Sequence, residues 1–178
     1  MTTDPIWIGE ARKAIRDVSD FPKPGIQFKD ITPLLGDARL FRLVTEEMAR
    51  RARGLGVTHV AGVESRGFIL AAPVAQMLGV GFVPVRKPGK LPAKSLREEY
   101  ALEYGTDALH MHEDAVSSGS RVLVLDDVLA TGGTAGATCR LVERAGATIV
   151  GCQFLIELVV LGGRSKLEGR RAEALLTY

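Results

Sequence analysis

The chain has 178 residues, 46% hydrophobic and 25% charged, with a formal net charge of +2. That composition suits one soluble globular domain and is too weakly basic for a surface built to hold nucleic acid. No apolar run approaches the ~20 residues of a membrane span, and the first residues lack the basic-then-apolar order of a secretion signal. Cys139 and Cys152 form neither a close-spaced metal pattern nor a disulfide framework, so they read as small buried apolar residues and a reducing, cytoplasmic setting is expected.

Asp4-Pro5 reads as a helix cap with proline at the first helical position, and Ile8, Ala11, Ile15 and Val18 follow at helical spacing. Residues 21–30, with two prolines and a glycine, are expected to be irregular though apolar. Asp37 caps a second helix bearing Leu40, Val44 and Met48, which stops near Gly54 or Gly56. From there strands and helices alternate. The spacing predicts a strand over 57–63, a helix over 67–78 closed by Gly79, and a strand over 80–85. A long basic-to-acidic loop over 86–105 comes next. A strand over 121–125, a helix over 134–145 closed by Gly146 and a long strand over 147–158 complete the series. Such alternation argues for one α/β domain, 1–178, whose central, mainly parallel sheet is flanked by helices.

The long loop is unusual in a compact domain and reads as a lid. Tyr100, Leu102 and Tyr104 alternate with Ala101 and Glu103, and residues 108–112 alternate too, which predicts a flap hairpin across Gly105-Thr106-Asp107. His110 and His112 lack a third metal ligand nearby and read as an exposed polar face; His59 reads as structural.

The tract with the most chemistry is Val122-Leu123-Val124-Leu125-Asp126-Asp127-Val128-Leu129-Ala130-Thr131-Gly132-Gly133-Thr134. A buried strand ends in two adjacent carboxylates, and a Thr- and Gly-rich turn then opens a helix. Open α/β sheets bind ligands at that end. The acids suit hydroxyls or a cation, and the turn's backbone N–H groups suit a phosphate. The run is neither a Walker motif nor a dinucleotide fingerprint. Ser65-Arg66-Gly67 follows a strand and opens a helix, a second anion site of the same kind. Arg86, Lys87 and Lys90 form a cationic cluster.

These motifs resemble type I phosphoribosyltransferases, and the resemblance covers most of the chain in the family's order. Phe21-Pro22-Lys23-Pro24-Gly25, Phe28-Lys29-Asp30, Ser65-Arg66-Gly67-Phe68, Arg86-Lys87-Pro88-Gly89-Lys90-Leu91-Pro92 and Leu102-Glu103-Tyr104-Gly105 are similar to its adenine-using branch. The resemblance implies an N-terminal hood over 1–36, a flexible flap over 88–112, and a cytoplasmic homodimer. It also implies conversion of adenine and 5-phosphoribosyl 1-pyrophosphate to AMP and pyrophosphate in purine salvage. Mg²⁺ would arrive with the substrate, with no metal held by protein alone and neither nucleic acid nor membrane as partner.

By that resemblance Asp126 and Asp127 hold the ribose hydroxyls, while Ala130, Thr131, Gly132, Gly133 and Thr134 cradle the 5-phosphate. Ser65, Arg66, Gly67, Arg86, Lys87 and Lys90 meet the pyrophosphate, with a cis peptide before Ser65. Ile26, Gln27, Phe28 and Lys29 form the adenine pocket, and Glu103 is the general acid–base group. Gln27 stands where the family is usually apolar and Lys29 where it usually has arginine, which puts base preference at issue. The rival readings are a 6-oxopurine phosphoribosyltransferase and a non-catalytic, nucleotide-sensing regulator of the same fold.

Overall fold

The structure, a computed structural model, describes residues 5–102 and 105–178, with the backbone alone at 101, 102 and 105. It falls into two compact units, Met1–Glu47 and Met48–Tyr178.

In the first unit, α1 (Ile6–Ala14) follows Pro5 and buries Ile8 and Ala11; Asp4 of the expected cap lies outside the described residues. The helical spacing through Val18 overshoots. Ile15 is already extended, and Val18 belongs to β1 (Arg16–Ser19). Asp17 and Ser19 are poor interior helix formers and Val18 is β-branched, so the stretch favours extension. The segment expected to be irregular is so only as far as Ile26. Its last four residues are β2 (Gln27–Asp30), antiparallel to β1 with Val18 opposite Phe28 and Asp17 opposite Lys29. Asp20, at φ 60°, accepts the Gly25 N–H on Oδ1 at 2.7 Å and so closes the turn between the two strands. A short helix absent from the sequence reading, α2 (Thr32–Gly36), precedes the predicted cap. Asp37 then accepts the N–H groups of Arg39 at 2.9 Å and Leu40 at 3.0 Å, starting α3 (Ala38–Ala52), which runs across the boundary of the units.

The second unit continues through β3 (His59–Val63), α4 (Arg66–Leu78) and β4 (Gly81–Val85), with Gly79 ending α4 at φ 68°. Next comes an antiparallel pair, β5 (Ser95–Leu102) and β6 (Gly105–His112). Strand β7 (Arg121–Leu129), helix α5 (Gly133–Arg144), β8 (Thr148–Glu157) and β9 (Ala172–Thr177) complete it. The sheet order is β4-β3-β7-β8-β9 and every pairing is parallel. β7 is the middle strand, buried on both faces, and this is why its sequence is a continuous apolar run rather than an alternation.

Four expectations need correction. The 86–105 loop contains β5, since Ser95 already faces His112 in the ladder. Gly105–Asp107 belong to β6 instead of forming the turn. β9 has no counterpart in the sequence reading, being short and pairing with β8 across the intervening residues 158–171. His110 and His112 are half-buried with Nε2 enclosed, not an exposed face.

Replacing Asp37 by Ala removes the one oxygen that accepts both capping hydrogen bonds and should destabilise the fold by about 1 kcal/mol. Urea unfolding of the two proteins measures this, and an unchanged midpoint would show that the cap contributes nothing.

Candidate active site

β7 brings the acids into the sheet rather than leaving them beyond it. Asp126 lies opposite Phe154, and the ladder continues through Val128 and Leu129. Asp126 is 9% exposed and Asp127 5%. Three features hold this unfavourable pair. The Asp127 N–H donates to Asp126 Oδ1 at 2.9 Å. Gly67, in the first turn of α4, packs directly on Asp126, where a Cβ would stand 2.7 Å from Oδ1. Arg66 places Nε 2.7 Å from Asp127 Oδ2. That oxygen nevertheless accepts no aligned hydrogen bond, although it is fully enclosed. Burial, reinforced by the Asp127 charge, holds the Asp126 carboxyl well above the usual range. Burial raises Asp127 too, with Arg66 opposing. Two buried carboxylates with a single guanidinium beside them are suited to hydroxyl donors or a cation.

Arg66 and Gly67 occupy the turn that follows β3. Ser65 precedes α4 without capping it through its side chain, and the Glu64–Ser65 peptide is cis, as the family resemblance implies. On the other side of the acids, Ala130–Gly132 lead into α5. Gly132 has φ 78°, and no side chain caps the helix, so its first amides remain available to an anion. Thr131 is exposed; Gly133 and Thr134 are half-buried.

The cationic cluster is not free in the way the sequence suggests. Glu64, a residue sequence reasoning passed over, accepts from Arg86 Nε and Nη2, both at 3.3 Å, and from the Lys87 N–H at 2.9 Å. Burial works against its charge, but the Lys87 amide and Arg86 outweigh that and hold its carboxyl below the ordinary value. Arg86 Nη1 also donates to the Lys90 carbonyl at 2.9 Å. Lys87 Nζ meets Tyr100 Oη at 2.7 Å and forms an ion pair with Asp107, two residues of the β5–β6 pair. Lys90 is exposed. The signal for Glu64 was a carboxylate at the end of a buried strand beside Ser-Arg-Gly. That for Asp107 was a lone acid in an apolar alternation.

The structure thus brings together Arg66, Gly67, Asp126 and Asp127, and separately ties Arg86 and Lys87 to Glu64. Glu103 lies outside the described residues. Ile26–Lys29 belong to the first unit. Ile26 and Gln27 are exposed, Phe28 packs edge-on to Phe21 with ring centroids 5.0 Å apart, and Lys29 pairs with Asp17. Among the described residues, no group of three or more His, Cys, Asp or Glu is arranged to hold a metal.

The family model described as phosphoribosyl transferase domain matches residues 37–172. The adenine phosphoribosyltransferase of Myxococcus xanthus (strain DK1622) is 56% identical over 176 residues, covering 99% of this chain and 96% of that protein. The crystal structure of adenine phosphoribosyltransferase from Thermoanaerobacter pseudethanolicus superimposes with a TM-score of 0.94 at 51% identity, over 96% of this chain and 99% of that one. The enzyme from Saccharomyces cerevisiae, crystallised with D-2,5-dideoxy-2,5-imino-altritol 1,6-bisphosphate and adenine, does so with a TM-score of 0.90 at 37% identity, over 96% and 98%.

The raised Asp126 carboxyl makes a stability prediction with a definite sign. The folded state holds its proton more tightly than the unfolded chain, so stability falls as pH rises from the unfolded value of about 4 towards the folded one. Asp126→Asn should therefore be more stable than the parent at pH 7, and the difference should vanish below about pH 4. Urea unfolding at both pH values is the check; an advantage that persists in acid would remove ionisation as its cause.

Proposed function

The chain belongs to the phosphoribosyl transferase domain family, and we propose that it transfers the phosphoribosyl group of 5-phosphoribosyl 1-pyrophosphate to adenine, releasing AMP and pyrophosphate in purine salvage. The observation that carries the reading is the enclosed Asp126–Asp127 pair, with Arg66 beside Asp127, between two glycine-containing helix starts.

Displacement of pyrophosphate at the anomeric carbon builds positive charge on the ribose, as in glycoside cleavage. Asp126 and Asp127 would take the ribose hydroxyls and face that charge, in a site where burial strengthens the interaction. The amides of Ala130–Thr134 would hold the 5-phosphate. The Ser65–Gly67 turn would receive the pyrophosphate with Arg86, Lys87 and Lys90. Glu64 presets the Arg86 guanidinium, and Lys87 would exchange Asp107 for the ligand. Glu103 would manage the proton at the imidazole side of the base, and Ile26–Lys29 would receive adenine.

Two buried acids with one guanidinium between them and the solvent fit Mg²⁺ that arrives on substrate oxygens, the ligands this ion prefers to a cage of side chains. Bound in that way, Mg²⁺ supplies charge neutralisation on the leaving pyrophosphate. We further propose a cytoplasmic homodimer. Ile69 and Met77 on α4 and Phe82 on the edge strand β4 are each more than a third exposed, an apolar face suited to a second copy.

Nucleotide formation from Mg-phosphoribosyl pyrophosphate with adenine, hypoxanthine and guanine supplied separately tests the reaction and the base together. AMP from adenine alone is expected; turnover of either 6-oxopurine would reassign the base, and silence with all three by folded protein would leave a sensor. Asp127→Asn should lose about 10–100-fold in kcat/KM, the worth of one charge-assisted hydrogen bond. Glu103→Gln should lower kcat more than it raises KM for the sugar substrate. Equal kinetics in either folded variant would remove that residue from its role.

A further inference from the structure

None of the chemistry above uses the segment that follows β8. It makes two short 3-10 turns, Val159–Leu161 and Gly163–Leu167, and then enters β9. Its backbone lies against the backbone of the turn that opens α5. A Cβ on Gly132 would fall inside 3.0 Å of the Gly163 carbonyl oxygen; a Cβ on Gly163 would fall inside 3.0 Å of the Ala130 oxygen and reach 3.0 Å from the Gly132 nitrogen. The two glycines are needed for different reasons. Gly132 has a positive φ, whereas Gly163 is not among the glycines with positive φ, so at 163 space alone excludes a side chain.

What fixes Gly163 there is its neighbour. Arg164 donates through Nε and Nη2 to the two oxygens of Glu157, both at 2.6 Å, and through Nη1 to the Ala172 carbonyl at 2.7 Å. Glu157 is 5% exposed and stands opposite Leu129, the residue just before Ala130. The Leu158 N–H also donates to the Leu129 carbonyl at 2.9 Å. A closed path therefore runs from the end of β7 across the ladder to Glu157, through Arg164 to Gly163, and back onto Ala130–Gly132. A planar, bidentate fork is the cation best able to hold a backbone in one place.

We propose that Arg164, locked to Glu157, is a positioning residue for the 5-phosphate turn and acts through the backbone contact of Gly163 with Ala130 and Gly132. The inference rests on the assignment of that turn to the 5-phosphate. Its plain competitor is a clasp that only holds β9 through Ala172.

The experiment uses the full chain and two probes, ribose 5-phosphate and pyrophosphate, with binding read as the upward shift of Tm and kinetics as separate KM values for the two substrates. Gly163→Ala should raise KM for phosphoribosyl pyrophosphate about 10–100-fold, the scale of a positioned group displaced by about 1 Å, with KM for adenine within about twofold. It should also lose the shift from ribose 5-phosphate and keep that from pyrophosphate. The double variant Glu157→Gln/Arg164→Gln, which buries no unpaired charge and keeps Gly163, should show the same selective loss, and Arg164→Lys an intermediate one. The double variant decides the matter even should Gly163→Ala not fold. Loss of both shifts together with a lower Tm would make the clasp merely structural, and intact ribose 5-phosphate binding in the double variant would remove Arg164 from the role. Parent protein that responds to neither probe and makes no AMP would overturn the assignment of the turn itself, and this inference with it.

Discussion

Two like charges side by side in the middle strand of a buried sheet are the constraint around which the rest of the second unit is arranged. Asp126 and Asp127 are enclosed on β7, where neither water nor distance relieves their repulsion. The relief comes from α4, which must begin close enough to set Arg66 beside Asp127 and bare enough, at Gly67, to lie against Asp126. That requirement determines how β3 hands over to its helix, because a side chain at 67 would drive the helix start away from the acids. Apolar residues in place of the two carboxylates would make a more comfortable sheet, and so the pair marks function rather than stability.

The same logic of charges settled before a ligand arrives extends to the cations. Glu64 fixes the Arg86 guanidinium and the Lys87 amide, and Asp107 with Tyr100 holds the Lys87 ammonium. Burial works against the Lys87 charge, yet the Asp107 and Tyr100 partners outweigh it and keep its ammonium above the ordinary value. An anion entering this loop meets donors already oriented, which lowers the reorganisation needed to neutralise it. The cost is that Lys87 has an internal competitor for the same role.

How much of this the sequence disclosed depended on how local the cause was. The Ser-Arg-Gly turn, the Asp37 cap and the glycine that ends α4 are written in consecutive residues, and each stands where the spacing put it, whereas the strand of the acid tract runs on to Leu129 and takes both acids into the ladder. The family resemblance supplied the roles. The errors lie where partners are remote. β9 exists because β8 offers it an edge; Ala172–Thr177 carries no strong strand signal of its own. β5 is held in its ladder by β6 and by Glu98, gripped at 2.6 Å by Arg140 and at 2.8 Å by Arg144, both from α5. Val18 reads as a helix residue until Phe28 faces it across a ladder. Glu64 and Gly163 were missed for the same reason: their importance lies in what folding brings to them.

The β5–β6 pair shows what these distant contacts accomplish together. One strand is tied to α5, which begins just after the acid tract, through Glu98, Arg140 and Arg144. Its partner strand is tied through Asp107 to Lys87, in the cationic loop. The pair is thus tied, at positions only two steps apart in the ladder, on one strand to the helix that follows the acid tract and on the other to Lys87. An anion that drew Lys87 away from Asp107 would undo the second of these side-chain ties and leave the first intact. The Arg86 N–H donates to the His110 carbonyl at 2.9 Å and the His110 N–H donates back to the Arg86 carbonyl at 2.7 Å, so the strands stay fastened to the cationic loop by backbone bonds, and the exchange would release an ammonium without unseating them.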